Sequence, residues 1–153
     1  MSPRIWLFSF AFSFLVVGCG IFNPLKTCVF SPVKAQLLLN GQPVKEATVI
    51  RRWDWQKLRE DHTVTDDNGY FYFPAVYEYS IIRLLPIEIV IGQGLSTMVD
   101  NEEMSFWTNA RRDPEENAEY QGRAIDITCD LKDEEILIKE FGARMVTLCQ
   151  LNK

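Results

Sequence analysis

Along several short stretches of this chain, apolar residues recur at every second position. Val33, Ala35, Leu37 and Leu39 alternate with Lys34, Gln36 and Leu38, the period of a strand with one buried face. Pro32 limits how far this strand extends as a central one. A second strand is predicted from Ala47 to Trp55, where Val49, Trp53 and Trp55 share a face with Arg51; that mixture predicts a bulge or an edge position. Lys57 to Asp61 reads as a charged connection and His62 to Thr65 as the start of a short strand. In Tyr70-Phe71-Tyr72-Phe73 the two phenylalanines point one way and the two tyrosines the other. Ile81 to Ile91, β-branched-rich and interrupted by Pro86, predicts a strand rather than a helix. Leu95 to Val99 and Met104 to Asn109 predict a hairpin across Asp100-Asn101-Glu102-Glu103. Ile125, Ile127 and Cys129 alternate with Asp126 and Thr128, and Ile136 to Glu140 and Met145 to Cys149 read as closing strands around Phe141-Gly142. Proline and acids from Asp113 to Glu119 predict one short helix or helical turn. The pattern is all-β.

Two turns punctuate it. Asn40-Gly41 separates the first two strands, and Asp66-Asp67-Asn68-Gly69 feeds the aromatic strand. Asp and Asn hydrogen-bond their own backbone, and glycine takes positive φ without a steric penalty. The runs N-G-x-P-V-x-x-A-x-V and T-D-x-x-G-x-F-x-F are carried here by Asn40, Gly41, Pro43, Val44, Ala47 and Val49, then Thr65, Asp66, Gly69, Phe71 and Phe73. In these residues the chain resembles the carboxypeptidase regulatory-like domain, which is similar in fold to transthyretin. Where that family usually has glycine before the alanine, this chain has Glu46. It also resembles small bacterial envelope proteins built on the same domain. The resemblance implies a transthyretin-like or Ig-like antiparallel β-sandwich of about seven or more strands, an accessory module with no catalytic residues. Enzymatic relatives of that fold depend on several histidines, and here His62 stands alone.

The amino-terminal pattern is different. Arg4 precedes an apolar run from Ile5 to Val17, followed by Gly18-Cys19. The run is shorter than the roughly 20 residues of a spanning helix and fits an export signal. Leu15-Val16-Val17-Gly18-Cys19 looks like a bacterial lipobox, which makes Cys19 the expected lipidation site; the alternative is an ordinary secretory signal. The expected organisation is a signal peptide at 1–18, a tether at 19–27 and one β-sandwich domain at 28–153. Gly20, where an inner-membrane retention signal would carry aspartate, points to the outer membrane, facing the periplasm; a soluble periplasmic protein is the alternative. An oxidising compartment makes cysteine pairing expected. Cys129 and Cys149 flank two predicted strands and are the favoured pair. Cys28 is then either a buried apolar residue or the true partner of one of them.

Charge and inventory narrow the function. The formal net charge is −5, and Arg51-Arg52 and Arg111-Arg112 are isolated pairs, so no nucleic-acid partner is expected. With one histidine and no paired C-x-x-C, no metal and no cofactor is expected. The acidic clusters Asp66-Asp67-Asn68, Asp100 to Glu103 and Asp130 to Glu135 read as turns or solvated loops, because the spacing of a calcium loop is missing. Nucleophile elbows, phosphate loops and zinc-protease motifs are absent from the sequence, so no catalytic residue is assigned. Trp53 and Trp55 have two readings, ligand-contact aromatics or core. The expected function is a non-enzymatic, lipid-anchored binding or structural module, held in the membrane at Cys19 and touching an envelope protein or cell-wall component. The alternative is a periplasmic immunity or inhibitor protein whose acidic loops steer onto a basic toxin.

Overall fold

A computed structural model describes residues 23–142 and 144–153. Cys19 and the signal peptide expected at 1–18 lie outside the described residues. Thirteen strands account for most of the described chain: β1 (Lys26–Phe30), β2 (Val33–Leu39), β3 (Gln42–Pro43), β4 (Thr48–Trp55), β5 (Lys57–Val64), β6 (Tyr70–Phe73), β7 (Val76–Tyr79), β8 (Ile91–Val99), β9 (Glu102–Arg111), β10 (Ile125–Asp130), β11 (Ile136–Ile138), β12 (Arg144–Thr147) and β13 (Cys149–Leu151). Among the described residues a single 3-10 turn spans Ile81–Leu84. The fold is an all-β sandwich.

One layer is a six-stranded antiparallel sheet in the order β11-β12-β9-β8-β4-β5. The other runs β13-β10-β2-β3, with β6 also paired to β2, and β1 and β7 form a small third ribbon. Within the second layer β10 lies parallel to β2, with Val33 opposite Ile125 and Leu38 opposite Asp130, a departure from the wholly antiparallel expectation. The core lies between the layers. Val33, Ala35 and Leu37 from β2, Phe71 and Phe73 from β6 and Ile125 and Ile127 from β10 meet Val49, Leu95 and Phe106 from the larger sheet. Alternation put all of these but Phe106 on the inner face; Phe106 is the extra residue of a β-bulge, where the β8–β9 register shifts. Phe71 meets Phe106 edge-on at 6.3 Å between ring centroids.

The predicted hairpin between β8 and β9 is present and tighter than expected: Asp100 and Asn101 both take positive φ, as a two-residue hairpin turn requires. Five other expectations are corrected. Ile81 to Val90 is not a strand. Ser80 caps the 3-10 turn by accepting from the Ile82 amide, and Pro86, without an N–H, cannot join a ladder. Asp113 to Glu119 forms turns instead of a helix, interrupted at Asn117 with φ +63. Lys57 to Asp61 is no loop but the start of the edge strand β5, whose charge follows from having solvent on its outer side. β4 is neither bulged nor at an edge: it pairs regularly with β5 and β8, and Arg51 is simply buried. Lys26 and Thr27, expected in a tether, belong to β1.

Candidate functional site

Arg51 is buried because Asp61 stands directly across from it on β5. Its Nε and Nη2 donate to the two Asp61 carboxylate oxygens at 2.9 and 2.5 Å, and Nη1 donates to the Pro74 carbonyl at 2.6 Å. The guanidinium lies 4.4 Å from the Phe73 ring centroid. Trp53 packs beside it, 5.6 Å from guanidinium to ring; Trp53 and Trp55 are 7 % and 4 % exposed, and Trp53 Nε1 donates to Glu78. Their burial puts both indoles in the core, one of the two readings of these residues.

A second buried polar knot joins β1, β8, β9 and the turns after β9. Glu119, fully buried, accepts from the Ser31 amide at 3.2 Å, the Ser31 hydroxyl at 2.6 Å and Gln93 Nε2 at 2.7 Å, and pairs with Arg111 Nη1 at 2.9 Å. Arg111 also donates to the Glu115 and Cys28 carbonyls. Gln93 in turn accepts from Asn109 Nδ2 at 3.0 Å. Arg111 Nε and Asn109 Oδ1 have no protein partner, positions of the kind that ordered water commonly fills. Cys28 sits against this knot with its Sγ 3.9 Å from Ser31 Oγ. Burial pushes the thiol pKa up, more than the nearby Arg111 charge lowers it, so it stays a neutral thiol at pH 7 rather than a nucleophilic thiolate. Among the described residues Cys28 is free, and a disulfide joins Cys129 to Cys149, residues directly opposite each other on β10 and β13.

The acidic clusters are occupied by their own turns. Asp66 Oδ1 accepts from the Asn68 and Tyr70 amides, both at 2.8 Å. Asp130 accepts from the Asn40, Gly41 and Lys132 amides at 3.0, 2.6 and 3.0 Å. Glu103 is held below the usual carboxylate range by its hydrogen bond with Arg52, and it also receives Ser96. Both glycine turns close on Leu37: its N–H donates to the Gly69 carbonyl at 2.8 Å and its carbonyl accepts from Val44 at 3.0 Å. Asn40 and Gly41 take φ of +50° and +74°. Among the described residues no group of three or more His, Cys, Asp and Glu is placed to hold a metal ion, and His62 is exposed on β5.

What remains open to a partner lies on the outside. The outward tyrosines of β6, Tyr70 and Tyr72, and Val64 at the end of β5 are exposed. With Lys34, Thr63 and Asp66 they line an open groove of 450 Å³. β5 pairs only with β4 and β6 only with β2 among the described strands, so the groove runs between two sheet edges. Alternation in the sequence marked the tyrosines as outward, but the meeting of the two edges depends on the three-dimensional turn between them.

Residues 33–134 match the family model described as a domain of unknown function, DUF6795, and the chain belongs to that family. No curated protein and no solved structure matches it. The matched span opens with β2 and closes just past Asp130, the residue that holds the Asn40-Gly41 turn.

Proposed function

We propose that this DUF6795 protein is a non-enzymatic binding module of the bacterial envelope, lipid-anchored at Cys19 and facing the periplasm, which takes an envelope protein or cell-wall component in the groove between β5 and β6. The observation that carries this reading is the groove itself: exposed tyrosines beside two unpaired strand edges. Tyrosine is enriched at protein interfaces, where one end of the ring is apolar and the other polar. An extended segment can add to a free strand edge through main-chain hydrogen bonds. The lipobox-like Leu15 to Cys19 supports the anchor. The kinship with carboxypeptidase regulatory-like domains, accessory modules by habit, is supported by the way both motif turns clamp Leu37.

Two experiments test it. A photo-crosslinking residue at position 72 should give a defined adduct with an envelope component in cells, whereas the same residue at position 137 should not; adducts at 137 alone, or none, end the groove reading. Labelled palmitate should enter the wild-type protein and be lost in Cys19→Ala. No label in the wild type removes the anchor.

A further inference from the structure

The most hydrophobic stretch after the leader is on the surface. Ile81 is 72 % exposed, and Leu84, Leu85, Ile87 and Val90 are each about half exposed or more. Soluble proteins rarely leave so many neighbouring apolar side chains in water without a use for them. The segment is held in this posture by its own hydrogen bonds: Ser80 caps it, and the Leu85 amide donates to the Ile82 carbonyl at 3.0 Å. Its charges are spent internally. Glu88 pairs with Arg112, and Arg83 pairs with Glu115 at 2.7 Å. The neighbouring Glu116 carboxylate takes the Tyr77 hydroxyl, which raises the phenol's pKa, and Lys26 lies over the Tyr77 ring.

The position of the segment identifies its occupant. The Ser80 amide donates to the Leu25 carbonyl at 3.0 Å, Arg83 Nε donates to the Lys26 carbonyl, and Lys26 pairs with Tyr79. The apolar segment therefore sits where the chain first joins the fold. Leu25 lies six positions beyond Cys19, a span of at most about 22 Å when fully extended. We infer that Ile81, Leu84, Leu85 and Ile87 insert into the headgroup region of a phospholipid bilayer, the same membrane that holds the amino-terminal part of the chain. This rests on the anchoring proposed above. It adds that the domain lies down on the membrane with a fixed face instead of swinging on its tether. Apolar side chains partition into the interface in proportion to buried area, and exposed Tyr79 at the margin suits the headgroup level.

The test uses the full-length protein purified from membranes and reconstituted into vesicles of equal parts phosphatidylethanolamine and phosphatidylglycerol. A polarity-sensitive fluorophore on Leu84→Cys should brighten and shift to the blue on reconstitution. On Met98→Cys, seven residues farther along β8 from Ile91 and roughly 23 Å away at strand spacing, it should not. Adding Ile81→Asp and Leu85→Asp, both exposed positions, should abolish the change at 84, each aspartate weakening insertion about tenfold. An unchanged spectrum at 84 in protein that carries palmitate overturns the inference and leaves the anchor standing. A change at 84 without vesicles that grows with protein concentration also overturns it, since a second copy is then the occupant. Loss of palmitate label and of vesicle binding together removes both, at the anchor.

Discussion

At Glu46 the backbone adopts φ +52, a left-handed conformation that costs a residue with a Cβ roughly 1–2 kcal/mol and glycine nothing. It is the position where the pattern this chain resembles carries glycine. Its amide nonetheless donates to the Thr65 carbonyl at 3.2 Å, so the strain is held by pairing between the strands on either side. Glu46→Gly should raise stability by up to about 1 kcal/mol in urea unfolding, the relief of strain being partly offset by the greater freedom of the unfolded chain. Gly69 is the opposite case. At φ +76, a Cβ there would stand 2.4 Å from the Leu37 carbonyl oxygen, so Gly69→Ala should cost about 2–3 kcal/mol in the same assay. Asp130 adds a pH dependence. Burial alone would raise its pKa, but the Lys132, Gly41 and Asn40 amides together hold it below the ordinary value. A carboxylate depressed in the folded state stabilises fully above its unfolded pKa of about 3.9, and that contribution is lost as pH falls through the folded value. Thermal melts of Asp130→Asn should therefore show a shallower loss of stability below about pH 4 than wild type.

At the scale of elements, what the sequence made legible was whatever depends on alternation and turn chemistry. β2, β6, β10, the β8–β9 hairpin and both glycine turns could be placed from residue order alone, because a strand's inward set and a turn's positive φ are local properties. β1 was missed. Lys26–Phe30 has no alternation to detect, since Thr27, Cys28, Val29 and Phe30 are all buried. Ile81–Val90 was misread for the reverse reason: hydrophobicity signals burial only when something is available to cover it. The two buried arginines were likewise hidden, because each needs a carboxylate from another element, Asp61 on β5 for Arg51 and Glu119 in the turns for Arg111. That dependence makes a prediction. Arg111→Met leaves Glu119 buried beside Ser31 and Gln93 without its cation, and should destabilise the protein by about 3–5 kcal/mol, read from the urea midpoint. Exposed Arg112→Met should change it by no more than about 1 kcal/mol.

For the whole molecule, the family match ends at Glu134 while the fold continues through β11, β12 and β13. The Cys129–Cys149 disulfide spans that limit, tying β13 to the matched strand β10 across a separation of 20 residues. Closing a loop of that size contributes about 3 kcal/mol in the chain-entropy treatment. Cys149→Ser, or reduction of the wild type, should lower the urea midpoint by a corresponding amount, with the larger sheet still folded around β4, β8 and β9.

The parallel pairing of β2 with β10 also imposes an order in time. Lys34 meets Asp126 across 92 residues, so a chain emerging from its amino end holds β2 without that neighbour until nearly everything else has appeared. Contacts this distant slow folding, because the entropy of closure must be met before the contact forms. Stopped-flow refolding should thus show the second sheet arriving last, and a chain ending at Arg123 should stay protease-sensitive around β2. Until that partner strand has been made, the first third of the polypeptide stays pliable along its future sheet.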